Sequence, residues 1–157
     1  MTTIDRTEDD SGLPAAHPDF AAHFTDPLYE DPADDLAPFG SDEGWDLLSE
    51  WSERREDLEH LTLEEVLEES GIDSLAGLRA ELDLDQMGED ERNQTQWEAA
   101  LTTVSAAFTI LRLTGSLDPE GVGAAVEALD LLITVEGDEP GLVREREDLL
   151  AWSQQQS

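Results

Sequence analysis

The chain contains no lysine and no cysteine, and only one tyrosine. Without cysteine there can be no disulfide, no thiolate nucleophile and no sulfur-ligated metal. All eight basic side chains are arginine, set against 40 aspartates and glutamates, for a formal net charge of −32. So few cations cannot neutralise a row of phosphates, so direct nucleic-acid binding is not expected. Anionic membrane surfaces are disfavoured for the same reason. Long hydrophobic runs are missing too. The least charged stretch, 99–113, carries Thr102, Thr103, Ser105, Thr109 and Arg112, and is too short and too polar to span a bilayer. The opening MTTIDRTEDDSG has neither the basic nor the apolar segment of a secretory signal. A cytoplasmic location is the expectation.

What is present is helical patterning. The length of 157 residues suits one domain, able to bury roughly 70% of its unfolded surface. Residues 1–18 are acidic and proline-interrupted and read as a disordered acidic tail. Residues 19–157 read as a single helical domain. A helical turn is expected at 19–24, and Pro27, Pro32 and Pro38 then hold the chain extended or turned as far as Ser41. A short strand near 28–30 fits the local pattern, though nothing obvious pairs with it.

From Ser41 onwards the chain reads as successive helices. Ser41 is placed as an N-cap, with Asp42 and Glu43 at the positive end of the helix that follows, about 42–58. Leu47, Leu48, Trp51 and Leu58 share one face of it, with Trp45 at the edge. Thr62 and Glu65 fit a capping box for a helix ending before Gly71. A third helix is expected at about 74–82, bearing Leu75, Leu78 and Leu82, and then a charged loop, 83–91.

The helix at about 91–114 looks central. Trp97, Leu101, Val104, Phe108 and Leu111 recur at three- and four-residue steps, its other side is small and neutral, and Gly115 follows as a stop. Asp118-Pro119-Glu120 opens a fifth helix that runs to Gly137, with Val122, Val126, Leu129, Leu132 and Ile133 inward. Pro140-Gly141 opens a sixth with Leu142, Leu149 and Trp152, followed by a QQQS end expected to be unstructured. The fold class is all-α, an irregular bundle of five or six helices with an extended acidic N-terminal segment.

Function is read from the stretch 28–51, where Tyr29, Phe39 and Trp45 stand among carboxylates. Trp51 reads as core and Trp45 as a lid over the loop carrying Tyr29, Pro38 and Phe39. Packing accounts for these aromatics, but aromatic rings also anchor interfaces, so Tyr29, Phe39 and Trp45 form the candidate interaction loop. The segments Asp26-Pro27-Leu28-Tyr29-Glu30-Asp31 and Pro38-Phe39-Gly40-Ser41-Asp42-Glu43-Gly44-Trp45-Asp46 resemble the loop of bacterial YfeS-like proteins. That resemblance implies a folded bacterial domain. It supplies no catalytic residues.

Other chemistry competes with plainer readings. Asp31, Asp34, Asp35, Asp42, Glu43 and Asp46 are the candidate ligands for Ca²⁺ or Mg²⁺, against a reading as solvated caps and turns. The run from Asp83 to Gly88 has the acids and glycine of an EF-hand start, but Met87 and Gln94 fall where ligands belong. His17 and His23 lack a third compact zinc ligand, and Ser41 lacks a nucleophile elbow. No resident cofactor is expected, and no catalytic residue can be chosen.

The leading reading is a non-enzymatic module of inhibitor or immunity type that covers a basic protein partner. The alternatives are a divalent-cation-binding protein or metal-dependent enzyme, and an inhibitor that imitates DNA. Under each, crowded like charges should make stability rise with added salt.

Overall fold

A computed structural model of the chain describes residues 16–26, 29, 38–40, 42–69, 89–137 and 139–155. Seven helices occur among them: α1 Pro18–His23, α2 Asp42–Ser52, α3 Arg55–Leu58, α4 Leu63–Glu69, α5 Glu89–Thr114, α6 Pro119–Glu136 and α7 Pro140–Gln155. No strand is found among the described residues, in keeping with an all-α chain. At the proposed strand only Tyr29 is described, and it lies in a helical turn, its N–H donating to the Asp26 carbonyl at 3.1 Å. The helix expected at 74–82 and most of the loop after it lie outside the described residues.

The long helix α5 is the centre of the arrangement. Every residue from 99 to 113 is buried, because α2 and α6 pack along it and α1, α3 and α4 also touch it. Such all-round burial calls for a helix with little charge on any side; 99–113 carries Arg112 alone, and Ala99, Ala100, Ala106 and Ala107 let neighbours approach closely. Helix α7 packs on α6, burying Leu142, Leu149 and Trp152.

The helix ends follow from local chemistry. Gly115 stops α5 with φ of 77° and donates back to the Leu111 carbonyl at 2.8 Å. A Cβ there would also come within 2.6 Å of the His17 ring. The incoming chain completes this end, since the His17 N–H donates to the Arg112 carbonyl at 2.6 Å and fills one of the acceptors left open in a last turn. Thr62 and Glu65 form the expected capping box: the Thr62 N–H donates to Glu65 Oε1 at 2.9 Å, and the Glu65 N–H to Thr62 Oγ1 at 3.2 Å.

Asp118 does more than its position foretells. Its Oδ2 accepts from the Gly121 N–H at 2.9 Å, capping α6, while its Oδ1 accepts from the Leu63 N–H at 3.0 Å, at the start of α4. One carboxylate therefore caps two helices. Gly121 permits the close approach: a Cβ there would lie 2.7 Å from Asp118 Oδ1 and 3.0 Å from Leu63 Cβ.

Two helix boundaries differ from expectation. The continuous helix expected over 42–58 is interrupted at Glu53 and Arg54, where Arg54 leaves helical geometry at φ −128°, ψ 38°. There the guanidinium lies 4.3 Å over the Trp51 ring and pairs with Asp57 at 3.1 Å and Glu69 at 3.8 Å. The first half of the expected unstructured end is also corrected, while Gln156 and Ser157 lie outside the described residues. Helix α7 continues through Gln154 and Gln155, and the Gln155 amide lies 3.4 Å from His23 Nδ1.

Candidate functional site

The three aromatic residues of the candidate loop separate into an interior pair and a surface residue. Tyr29 and Phe39 are fully buried, whereas Trp45 is 37% exposed. Of the candidate interaction loop's three rings, Trp45 alone reaches the surface. Apolar rings are drawn to the densest apolar surface on offer, which here is the face of α5 around Phe108. Phe20, Phe24, Tyr29 and Phe108 cluster with ring centroids 4.8–5.9 Å apart, several edge to face. Phe39 meets Arg112, whose guanidinium is 5.4 Å from its ring centroid and 5.9 Å from that of Phe20.

The aromatics join a chain of polar contacts that runs from the interior to the surface. Arg112 is 2% exposed and donates from Nη1 to the Tyr29 carbonyl at 3.3 Å. The Tyr29 hydroxyl donates to Asp148 Oδ2 at 2.8 Å. Asp148 also faces Arg144 at 3.6 Å, and Arg144 reaches Asp26 at 3.5 Å. His23 Nε2 lies 2.9 Å from the Asp148 main-chain oxygen; a carbonyl only accepts, so that nitrogen carries the proton. These contacts tie the segment 17–29 to α5 and α7. Burial, the hydrogen bond to Asp148 and the charges of Asp148, Glu145 and Asp26 all push the Tyr29 phenol far above its ordinary range. Such a phenol stays protonated, and it cannot serve as a base near neutral pH.

Sequence reading missed Arg112 and Glu145 as interior charges. Arg112 left one trace, as the lone charge in the otherwise uncharged run 99–113. Glu145 is fully buried yet sits among acids and arginines that look like any exposed helix face. Ser105, Thr109 and Arg112 fall within about 60° of one another around α5, and the two hydroxyls have no hydrogen-bond partner among the described residues. The neighbouring hydroxyls of Thr102 and Thr103 instead donate to carbonyls four residues back, at 2.8 and 2.7 Å.

The surface around Trp45 is acidic. Helix α2 buries Gly44, Leu47, Leu48 and Trp51 and turns Trp45, Asp46 and Glu50 outwards, with Glu53 exposed just beyond its end. The exposed or half-exposed arginines Arg54, Arg144 and Arg146 are each bound to acids of the chain itself, Arg146 to Asp130 at 2.6 Å. Of the six proposed metal ligands, Asp31, Asp34 and Asp35 lie outside the described residues, as do the side chains of Asp42 and Glu43. Asp46 is exposed, and no group of three or more acids or histidines placed to hold a metal occurs among the described residues. His17 is occupied as the cap of α1, its Nδ1 accepting from the Asp19 N–H at 3.1 Å.

Fold and site together define a class: an acidic, helical chain with an inward aromatic and arginine cluster and an outward tryptophan. No helix among the described residues is long and apolar enough to cross a membrane. The chain is similar to the uncharacterized protein YfeS of Escherichia coli (strain K12), with 35% identity over 114 residues. That span covers 65% of this chain and 44% of YfeS, so the chain spans less than half the length of this relative. The likeness is wider than the stretch 26–46 that first showed it. No family model matches the chain, and no solved structure does.

Proposed function

We propose that the protein is a non-enzymatic interaction module, of inhibitor or immunity type, whose acidic face on α2 meets a basic protein. The observation that carries this reading is the exposed Trp45 beside Asp46, Glu50 and Glu53, on a chain in which Arg54, Arg144 and Arg146 are already engaged by its own acids. A tryptophan of this kind supplies apolar contact area at low entropic cost. The surrounding carboxylates raise the encounter rate with a cation-rich surface and select against acidic competitors. Tyr29, Phe39 and Arg112 are buried, so the reading assigns them to stability.

The test is affinity capture from the producing organism at low and at moderate ionic strength, followed by titration of the purified partner. A basic protein bound at low salt, weakened by salt, and weakened about tenfold or more by Trp45→Ala is the expected result. Recovery of no protein at low salt, or a partner indifferent to Trp45→Ala, would overturn the proposal.

A further inference from the structure

A second surface feature lies away from Trp45, where α4 and α6 begin side by side. It is a cleft of about 200 Å³. Leu63, Leu67 and Ala124 form apolar walls, Glu64 and Glu120 stand exposed at its rim, and Asp118 lies between the two helix starts. Its size argues against a nucleotide or other cofactor, whose pockets run to roughly 300–1,000 Å³.

The charge of the site decides the class of occupant. Two helix starts ordinarily favour an anion. Here the Asp118 carboxylate neutralises both, one oxygen on the Leu63 N–H and the other on the Gly121 N–H, and the Thr62 hydroxyl takes the Glu65 N–H. No arginine lines the cleft among the described residues. What remains is apolar wall under a negative rim, which matches a side chain with an alkyl stem and a cationic head. Arginine fits better than lysine: its planar head is weakly hydrated, packs flat against apolar surface and donates to several carboxylates at once.

We infer that the α4–α6 cleft receives an arginine side chain of the basic partner, as a second anchor in addition to Trp45. This rests on the proposed interaction role, but its test needs no partner. The probes are hexa-arginine and hexalysine peptides, titrated by calorimetry at low salt into the full chain, Ala124→Leu, Glu64→Gln/Glu120→Gln and Trp45→Ala. Ala124 is exposed on α6, so leucine there fills the cleft without entering the core, and an unchanged melting temperature verifies this.

The expected result is hexa-arginine binding weakened about tenfold by Ala124→Leu and by the double glutamine variant, untouched by Trp45→Ala, and stronger than hexalysine binding. Equal binding of hexa-arginine to Ala124→Leu and to the unaltered chain overturns the inference, as does equal binding of the two peptides. A partner sensitive to Trp45→Ala and insensitive to Ala124→Leu removes the cleft and leaves the α2 face standing. Loss of peptide binding in Ala124→Leu upholds the cleft even where Trp45 proves irrelevant.

Discussion

At the scale of single residues, similar side chains serve opposite ends. Trp51 is fully buried and Trp45 is not; periodicity placed the first correctly, because Leu47, Leu48 and Trp51 fall on one face. The inward turn of Tyr29 and Phe39 was not legible. It depends on Phe108 and Arg112, about 80 residues further along, and no local pattern encodes a contact at that range. Tyr29 carries a prediction of its own. Its folded phenol ionises far above an unfolded one, so the stabilising contribution is fully present below about pH 10 and is lost as pH rises beyond it, by about 1.4 kcal/mol per pH unit. Because the chain has a single tyrosine, the tyrosinate absorbance band reports this site alone. It should rise together with the loss of helical circular dichroism rather than before it. Tyr29→Phe should abolish that alkaline slope and, by losing the bond to Asp148, cost about 1.5–3 kcal/mol at neutral pH, read from urea unfolding.

At the scale of elements, local chemistry showed in the sequence wherever a cap was involved. Thr62, Gly115, Asp118 and Pro119 each mark a helix end that the structure confirms. The break at Glu53 and Arg54 did not show, because neither proline nor glycine is there and both residues favour helix. At the break Arg54 sits over Trp51 and pairs with Glu69 on α4, contacts that the helical periodicity does not encode. The end of α7 was misread for a similar reason: Gln155 meets His23, which comes from the opposite end of the chain. The double cap gives a sharp expectation. Loss of an ordinary cap costs about 1 kcal/mol, and Asp118 serves two helices, so Asp118→Ala should cost about 2 kcal/mol. Asp118→Asn should retain most of that, and urea unfolding of the two variants checks both figures. Exchange of the amide protons of Leu63 and Gly121 should accelerate together in Asp118→Ala; acceleration at Gly121 alone would show that the link to α4 carries no weight.

For the whole molecule, the opposition is between a neutral helical centre and a surface of like charges. Burial of 99–113 on every side draws the elements inwards, while the net charge of −32 pushes outwards. The melting temperature should therefore climb between low and moderate salt as the repulsion is screened. Thermal unfolding followed by circular dichroism should show this with sodium chloride and potassium chloride alike. The acidity was legible from composition alone. Its arrangement was not, because whether an acid points outwards, as Glu50 does, or is buried, as Glu145 is, depends on packing. The same charge underlies the proposed function, which requires that the acids beside Trp45 matter more than acids elsewhere. The direct measurement is the association rate of the basic partner with two variants of equal charge loss. One is Asp46→Asn/Glu50→Gln/Glu53→Gln and the other Asp19→Asn/Glu139→Gln/Glu147→Gln, all exposed positions. The account predicts a rate several-fold slower for the first and nearly unchanged for the second; equal slowing of both would contradict it.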